Sequence, residues 1–158
     1  MRLASVTDLE EDTLDCKLVR RFVDEALNGC DLSVVREILS TRFRDHDPVR
    51  LPGQVDGPES FGSIRHVESL VEFLAQPTVD VAFGLEDLFG AGGRVGYRLF
   101  GQGTISLSPE ERALGESGPG LPEGKLLGDR LVMEYSSTGI FGVKGGRIVE
   151  RWGPVVFR

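Results

Sequence analysis

Leu14, Leu18, Phe22 and Ala26 recur every four residues, the spacing that lines apolar side chains along one face of a helix. The pattern predicts a first helix from Leu14 to about Asn28, with Asn28-Gly29 as its stop. Asp31 is placed to cap a short second helix through about Leu39 that buries Leu32, Val35 and Leu39, and Phe43 to His46 leaves room for one short strand ended by Pro48 and Pro52. Asp56-Gly57-Pro58-Glu59 reads as a capping-box-like start. Phe61, Ile64, Glu68, Val71 and Leu74 follow at three- and four-residue steps, which predicts a third amphipathic helix ending before Pro77.

After Pro77 the period changes to two. Val79, Val81, Phe83 and Leu85 alternate with Asp80, Ala82, Gly84 and Glu86, a strand signature that ends at the turn Gly90-Ala-Gly-Gly93. Further long strands are predicted at about Arg94–Leu107, Asp129–Val143 and Arg147–Phe157, the last pair joined by Lys144-Gly145-Gly146. Ser108–Gly128 carries five Gly and three Pro, a composition that resists regular structure and predicts a long mobile loop, either a lid over a cavity or an insertion without a role. Helices first and a meander of strands afterwards imply an α+β domain: a cone-shaped, curved antiparallel sheet with three N-terminal helices on its concave face. The expected organisation is a mobile acidic tail at 1–12 and a single domain at 13–158.

Composition narrows the partners. The chain has 158 residues, 40% of them hydrophobic, enough for one core. Its formal charge of -7, with no Lys/Arg cluster beyond Arg20-Arg21, argues against a nucleic-acid partner. No apolar run approaches the roughly 20 residues of a membrane span, and the acidic start is unlike a signal peptide, so a cytoplasmic protein is expected. Cys16 and Cys30 flank the first helix, on the order of 20 Å apart at ~1.5 Å rise per residue, which disfavours a mutual disulfide. Together with His46 and His66 they offer no metal-ligand spacing, so no metal is expected.

Several local phrases carry a resemblance: Val19-Arg-Arg-Phe22 with Leu27-Asn-Gly-Cys-Asp-Leu32, Phe43-Arg-Asp-His-Asp-Pro48, Asp56-Gly-Pro-Glu-Ser-Phe61, and Gly146-Arg-Ile-Val-Glu-Arg-Trp152. From about Leu18 to Trp152 the chain resembles the SnoaL-like polyketide cyclases of the superfamily named after nuclear transport factor two. The resemblance implies a cone with an apolar pocket between helices and sheet, no cofactor, an apolar polyketide substrate of the kind used in antibiotic biosynthesis, and frequent homodimers through the outer face of the sheet. It also implies a catalytic Asp directly after the Trp, where this chain has Gly153, and helper residues that fall on Ser137 and Gly139. The related limonene epoxide hydrolases use an Arg and two Asp; their pattern falls on Arg98, Phe100 and Gly153, so only the Arg is retained. An Asn of the family falls on His46.

General acid/base work needs a group whose proton can move, and Gly153, Gly139 and Phe100 have none. The expected function is therefore a cofactor-free cyclase that closes a ring mainly by confining its substrate, with a pericyclic step such as a cycloaddition as the favoured chemistry. The alternatives are an aldol or Michael cyclase with Asp47 or His46 as a relocated acid/base, or a non-catalytic domain that binds a hydrophobic small molecule. Candidate catalytic residues are His46, Asp47, Arg98 and Tyr135, and candidate substrate-binding residues are Phe100, Gln102, Met133, Ser137, Gly139, Trp152 and Gly153. Arg98 shares a strand face with Gly96, Phe100 and Gln102; if that face lines the pocket, Arg98 could polarise a carbonyl, and if it faces outward Arg98 is a surface cation. Tyr135 shares parity with Met133, Ser137 and Gly139. Trp152 is also read as a structural anchor, and His66 as a solvated helix residue.

Overall fold

The computed structural model describes residues 13–49, 58–117 and 125–157. The expected tail at 1–12 lies outside them. Helix α1 (Leu14–Arg21) opens on Thr13, whose side chain accepts from the Cys16 N–H, and continues into a π-helical stretch (Phe22–Asn28). Gly29 ends it. A side chain there would collide with the Glu25 carbonyl. Helix α2 (Leu32–Ile38) is capped by Asp31, whose carboxylate accepts from the Ser33 and Val34 N–H groups, and α3 spans Ile64–Leu74 after a single 3-10 turn at Pro58–Ser60.

The strands are β1 (Leu39–Asp45), β2 (Val79–Ala91), β3 (Arg94–Ser106), β4 (Lys125–Leu127), β5 (Arg130–Lys144), β6 (Arg147–Trp152) and β7 (Val155–Phe157). They form one curved, unclosed sheet in the order β1-β6-β5-β3-β2, with β4 and β7 also paired to β5. All ladders are antiparallel except β1 with β6, which is parallel. The α+β class read from the sequence holds, with helices α1 to α3 over the inner face of the sheet.

Alternation decides which side of each strand meets those helices. Val95, Tyr97 and Ile105 of β3 and Leu131, Met133, Tyr135, Ser137 and Phe141 of β5 are buried inward. Against them pack Val19, Phe22, Val23 and Ala26 from the first helix, Val35 and Ile38 from α2, and Val67 and Val71 from α3. The Asn28 side chain closes one end of this layer: its amide donates to the Phe83 carbonyl and accepts from the Phe83 N–H, both at 2.8 Å. It thereby occupies backbone groups on the open edge of β2, which would otherwise stand free to pair with another chain.

Two expectations need correction. The segment Ser108–Gly128 is not irregular throughout, since it holds helix α4 (Pro109–Ser117) and strand β4. Ser108-Pro-Glu-Glu111 is a capping box: the Ser108 N–H donates to the Glu111 carboxylate at 2.8 Å, the Glu111 N–H donates back to the Ser108 hydroxyl at 3.2 Å, and Pro109 sits where a missing N–H costs nothing. The expected single strand Arg147–Phe157 is two, broken at Gly153-Pro154. Trp152 pairs with Ile140 and Val155 with Ser137, so the break lies opposite Thr138-Gly139 in the middle of β5.

Candidate active site

A hollow lies between the helices and the inner face of the sheet, about 860 Å³ including its open mouth. Apolar side chains make most of its wall, among them Phe22, Leu27, Phe43, Leu70, Phe83 and Phe157. The polar side chains that reach it are Asp45, His66, Tyr97, Tyr135, Ser137 and Arg151.

Arg151 organises this polar group from β6. Its Nε donates to Asp45 Oδ2 at 3.0 Å while Nη2 lies 3.0 Å from Asp45 Oδ1, so the carboxylate is held by both ends of the guanidinium. Nη1 donates to the Tyr97 hydroxyl at 2.6 Å, the Gly153 carbonyl at 3.0 Å and the Ser137 hydroxyl at 3.4 Å, and Nη2 also donates to the Asp47 carbonyl at 2.9 Å. Both charged side chains are only 12% exposed. Burial by itself would favour loss of the arginine proton, but the neighbouring Tyr97 oxygen and Asp45 carboxylate outweigh it and hold the group above its ordinary value. The Tyr97 and Ser137 hydroxyls are themselves bonded at 2.9 Å.

Tyr135 lies beyond Ser137 on the same face of β5. Its ring packs edge-on to Phe83 at 5.4 Å and near Phe157 at 5.8 Å, and its hydroxyl is buried with no hydrogen-bond partner among the described residues. Burial pushes that phenol far above its usual range, so it stays protonated as a donor. Room for the ring comes from Gly101, its cross-strand partner on β3, because a side chain at 101 would collide with it.

Gly153 is more than a lost carboxylate. Its φ is +143°, and a Cβ there would stand 2.7 Å from the Thr138 carbonyl oxygen and 2.7 Å from the Tyr97 hydroxyl. Gly139 meets it from the other side, and a Cβ at 139 would strike the Trp152 carbonyl. Asp47 fixes the break by accepting from the Gly153 N–H at 2.8 Å.

The structure brings Tyr135 and Ser137 together in the hollow, whereas Gly139 and Gly153 lie beside Tyr97 and are not among the residues that line it. Met133 is buried in the core on the same face of β5 and is not part of the wall. The face of β3 holding Arg98, Phe100 and Gln102 is the outer one: Arg98 pairs there with Glu86 at 2.9 Å and Asp87 at 2.7 Å, Phe100 is 40% exposed, and Gln102 is exposed. The cause is the opposite parity, where Val95, Tyr97 and Ile105 supply the larger apolar set and take the interior. Trp152 also faces outward, stacked on His46 with ring centroids 4.8 Å apart and with the Arg94 guanidinium 5.3 Å from its ring. His46 lies 3.1 Å from Glu150 on that side.

His66 is buried, not solvated, at 3% exposure. Its Nε2 lies 2.8 Å from the Val49 carbonyl, and since a carbonyl only accepts, that nitrogen carries the proton. The sequence reading missed Arg151, Tyr97, Asp45 and His66. Their signals were parity with Phe43 for Asp45, with Val95 for Tyr97, and helical spacing with Leu70 and Phe73 for His66.

An open cone over an apolar hollow defines a class, the fold of SnoaL-like and epoxide-hydrolase-like proteins. The SnoaL-like polyketide cyclase family matches residues 17–155, and the chain belongs to that family, whose members are enzymes of the cyclase type. Among solved structures, IdmH of Streptomyces antibioticus, assigned as a polyketide cyclase, is 19% identical with a TM-score of 0.60, covering 89% of this chain and 91% of that one. A protein of Bacillus cereus ATCC 10987, likewise assigned, is 17% identical with a TM-score of 0.58 over 90% of this chain and 74% of that one. An LEH-like epoxide hydrolase of M. tuberculosis is 17% identical with a TM-score of 0.53 over 94% and 86%. These likenesses are of fold. No curated protein matches the chain. Among the described residues no helix is long and apolar enough to cross a membrane, and no group of three or more His, Cys, Asp or Glu is arranged to hold a metal ion.

Proposed function

We propose that this enzyme closes a ring in an apolar polyketide-like intermediate by folding it inside the hollow, with a cycloaddition as the bond-forming step. In such a step two π bonds are consumed and two σ bonds form, no proton enters or leaves, and product and substrate have the same mass. The observation that carries the reading is the state of the carboxylates. Asp45, the one carboxylate among the described residues lining the hollow, is held by Arg151, and Asp47 is bonded to the Gly153 N–H. His46, stacked on Trp152 on the outer face, is turned away from the cavity. What the hollow offers is shape, and holding reacting ends near attack distance removes up to about 7–11 kcal/mol of barrier in the best intramolecular cases. The exposed Phe89, Phe100 and Ile140 on the outer face of the sheet support a homodimer formed through that face.

Incubation with a linear polyene precursor, followed by chromatography, is expected to yield an isomer of unchanged mass. The rate should stay level between about pH 5.5 and 8.5, the range over which an ordinary histidine titrates. Asp47→Asn should keep kcat/KM within about threefold, because its carbonyl oxygen still accepts from Gly153, whereas removal of a general acid or base costs about 100-fold or more. A bell-shaped profile abolished by Asp47→Asn would establish the relocated acid/base instead.

A further inference from the structure

We infer that the Tyr135 hydroxyl is a hydrogen-bonding site for a neutral carbonyl oxygen in the hollow, with one hydroxyl of the Tyr97–Ser137 pair a second donor farther along the same wall, so that the substrate carries an uncharged ketone, ester or thioester and not a free carboxylate. The inference rests on the hollow being the substrate chamber.

Counting hydrogens gives the donors. A guanidinium only donates, so Arg151 fills an acceptor position on the Tyr97 oxygen at 2.6 Å and, more weakly, on Ser137 Oγ at 3.4 Å. The two hydroxyls own two hydrogens and share one bond at 2.9 Å, which uses one of them. The second has no acceptor among the described residues. Neither has the hydroxyl of Tyr135, which is buried and unpartnered. Tyr135 and Ser137 stand two residues apart on one face of β5, about 7 Å at the rise of a strand, so both donors belong to the same wall. A buried hydroxyl without a partner costs stability, and in this wall an acceptor must come from whatever enters.

Charge sets the chemical class. Arg151 and Asp45 neutralise each other at the wall, so an entering carboxylate would lose its hydration without meeting a free cation. A neutral carbonyl loses far less and gains the hydrogen bond of Tyr135. Its polarisation would also draw electron density from a conjugated alkene, the activation a cycloaddition uses. Gly101 is then a positioning residue, since any side chain there displaces the Tyr135 ring.

The test is the binding of benzylacetone, a neutral aromatic ketone, against hydrocinnamate, its carboxylate counterpart, by calorimetry and by infrared difference spectra of the carbonyl-labelled ketone. The ketone is expected to bind with its carbonyl band below its position in hydrocarbon solvent, and hydrocinnamate at least about tenfold more weakly. Tyr135→Phe should weaken the ketone about 2–10-fold and return most of the band shift, whereas Ser137→Ala, which frees the Tyr97 hydrogen and so keeps a donor there, should change both little. Tyr135→Phe removes only an unpartnered oxygen, so its fold should survive and circular dichroism should match the parent. Ketone binding with an unshifted band, a shift unchanged in Tyr135→Phe, or equal binding of hydrocinnamate would overturn the carbonyl site while leaving the confinement reading intact. No binding of the ketone at all would overturn both.

Discussion

Gly153→Asp, which writes the family acid back into its place, is expected to destabilise the protein by about 3–5 kcal/mol and to restore no acid/base activity. The residue holds φ at +143°, and its Cβ would stand 2.7 Å from both the Thr138 carbonyl and the Tyr97 hydroxyl, so backbone strain and overlap add. Relief would require opening the break between β6 and β7, which also carries the Asp47 bond and the Arg151 contact to the Gly153 carbonyl. Gly153→Ala should already lose about 2–4 kcal/mol, because the clash begins at Cβ. Urea unfolding of the two variants against the parent measures this. An aspartate variant as stable as the parent would show that position 153 is a vacant carboxylate site.

Arg151→Met is expected to cost about 3–5 kcal/mol, since it strands the carboxylate of Asp45, a side chain only 12% exposed. The same change frees the Tyr97 oxygen, the Ser137 hydroxyl and the carbonyls of Asp47 and Gly153 from their common donor. The double variant with Asp45→Asn should lose about 1–3 kcal/mol less than the sum of the two single changes, which identifies the stranded charge as the main term. Additive losses in chemical denaturation would instead make Arg151 a packing residue.

Periodicity carried most of the fold. The four-residue stripe from Leu14, the cap at Asp31 and the two-residue alternation from Val79 each correspond to an element, because each is local physics repeated over a dozen residues or fewer. The site was less legible for a definite reason. Alternation says which residues share a face, not which face is inside, and a choice off by one turns a strand inside out. On β5 the parity of Tyr135 and Ser137 was right. On β3, β6 and β1 the interior residues are Tyr97, Arg151 and Asp45, each one position before Arg98, Trp152 and His46. Arg151 was the hardest to foresee: its burial depends on Asp45, which lies 106 residues away in the chain. Gly153 was read as a subtraction from a motif, whereas the positive φ that explains it exists only in three dimensions. Helix α4 hid for the opposite reason, since the glycines and prolines of the segment drew attention from the capping box at its start.

The central claim, ring closure by confinement without proton transfer, is tested most directly by single-turnover cyclisation of a linear precursor in heavy water. The account predicts a product with no deuterium on carbon and a rate within about 20% of that in ordinary water, since no exchangeable proton moves in the step. Deuterium at a ring carbon, or a solvent isotope effect of about two or more, would contradict it.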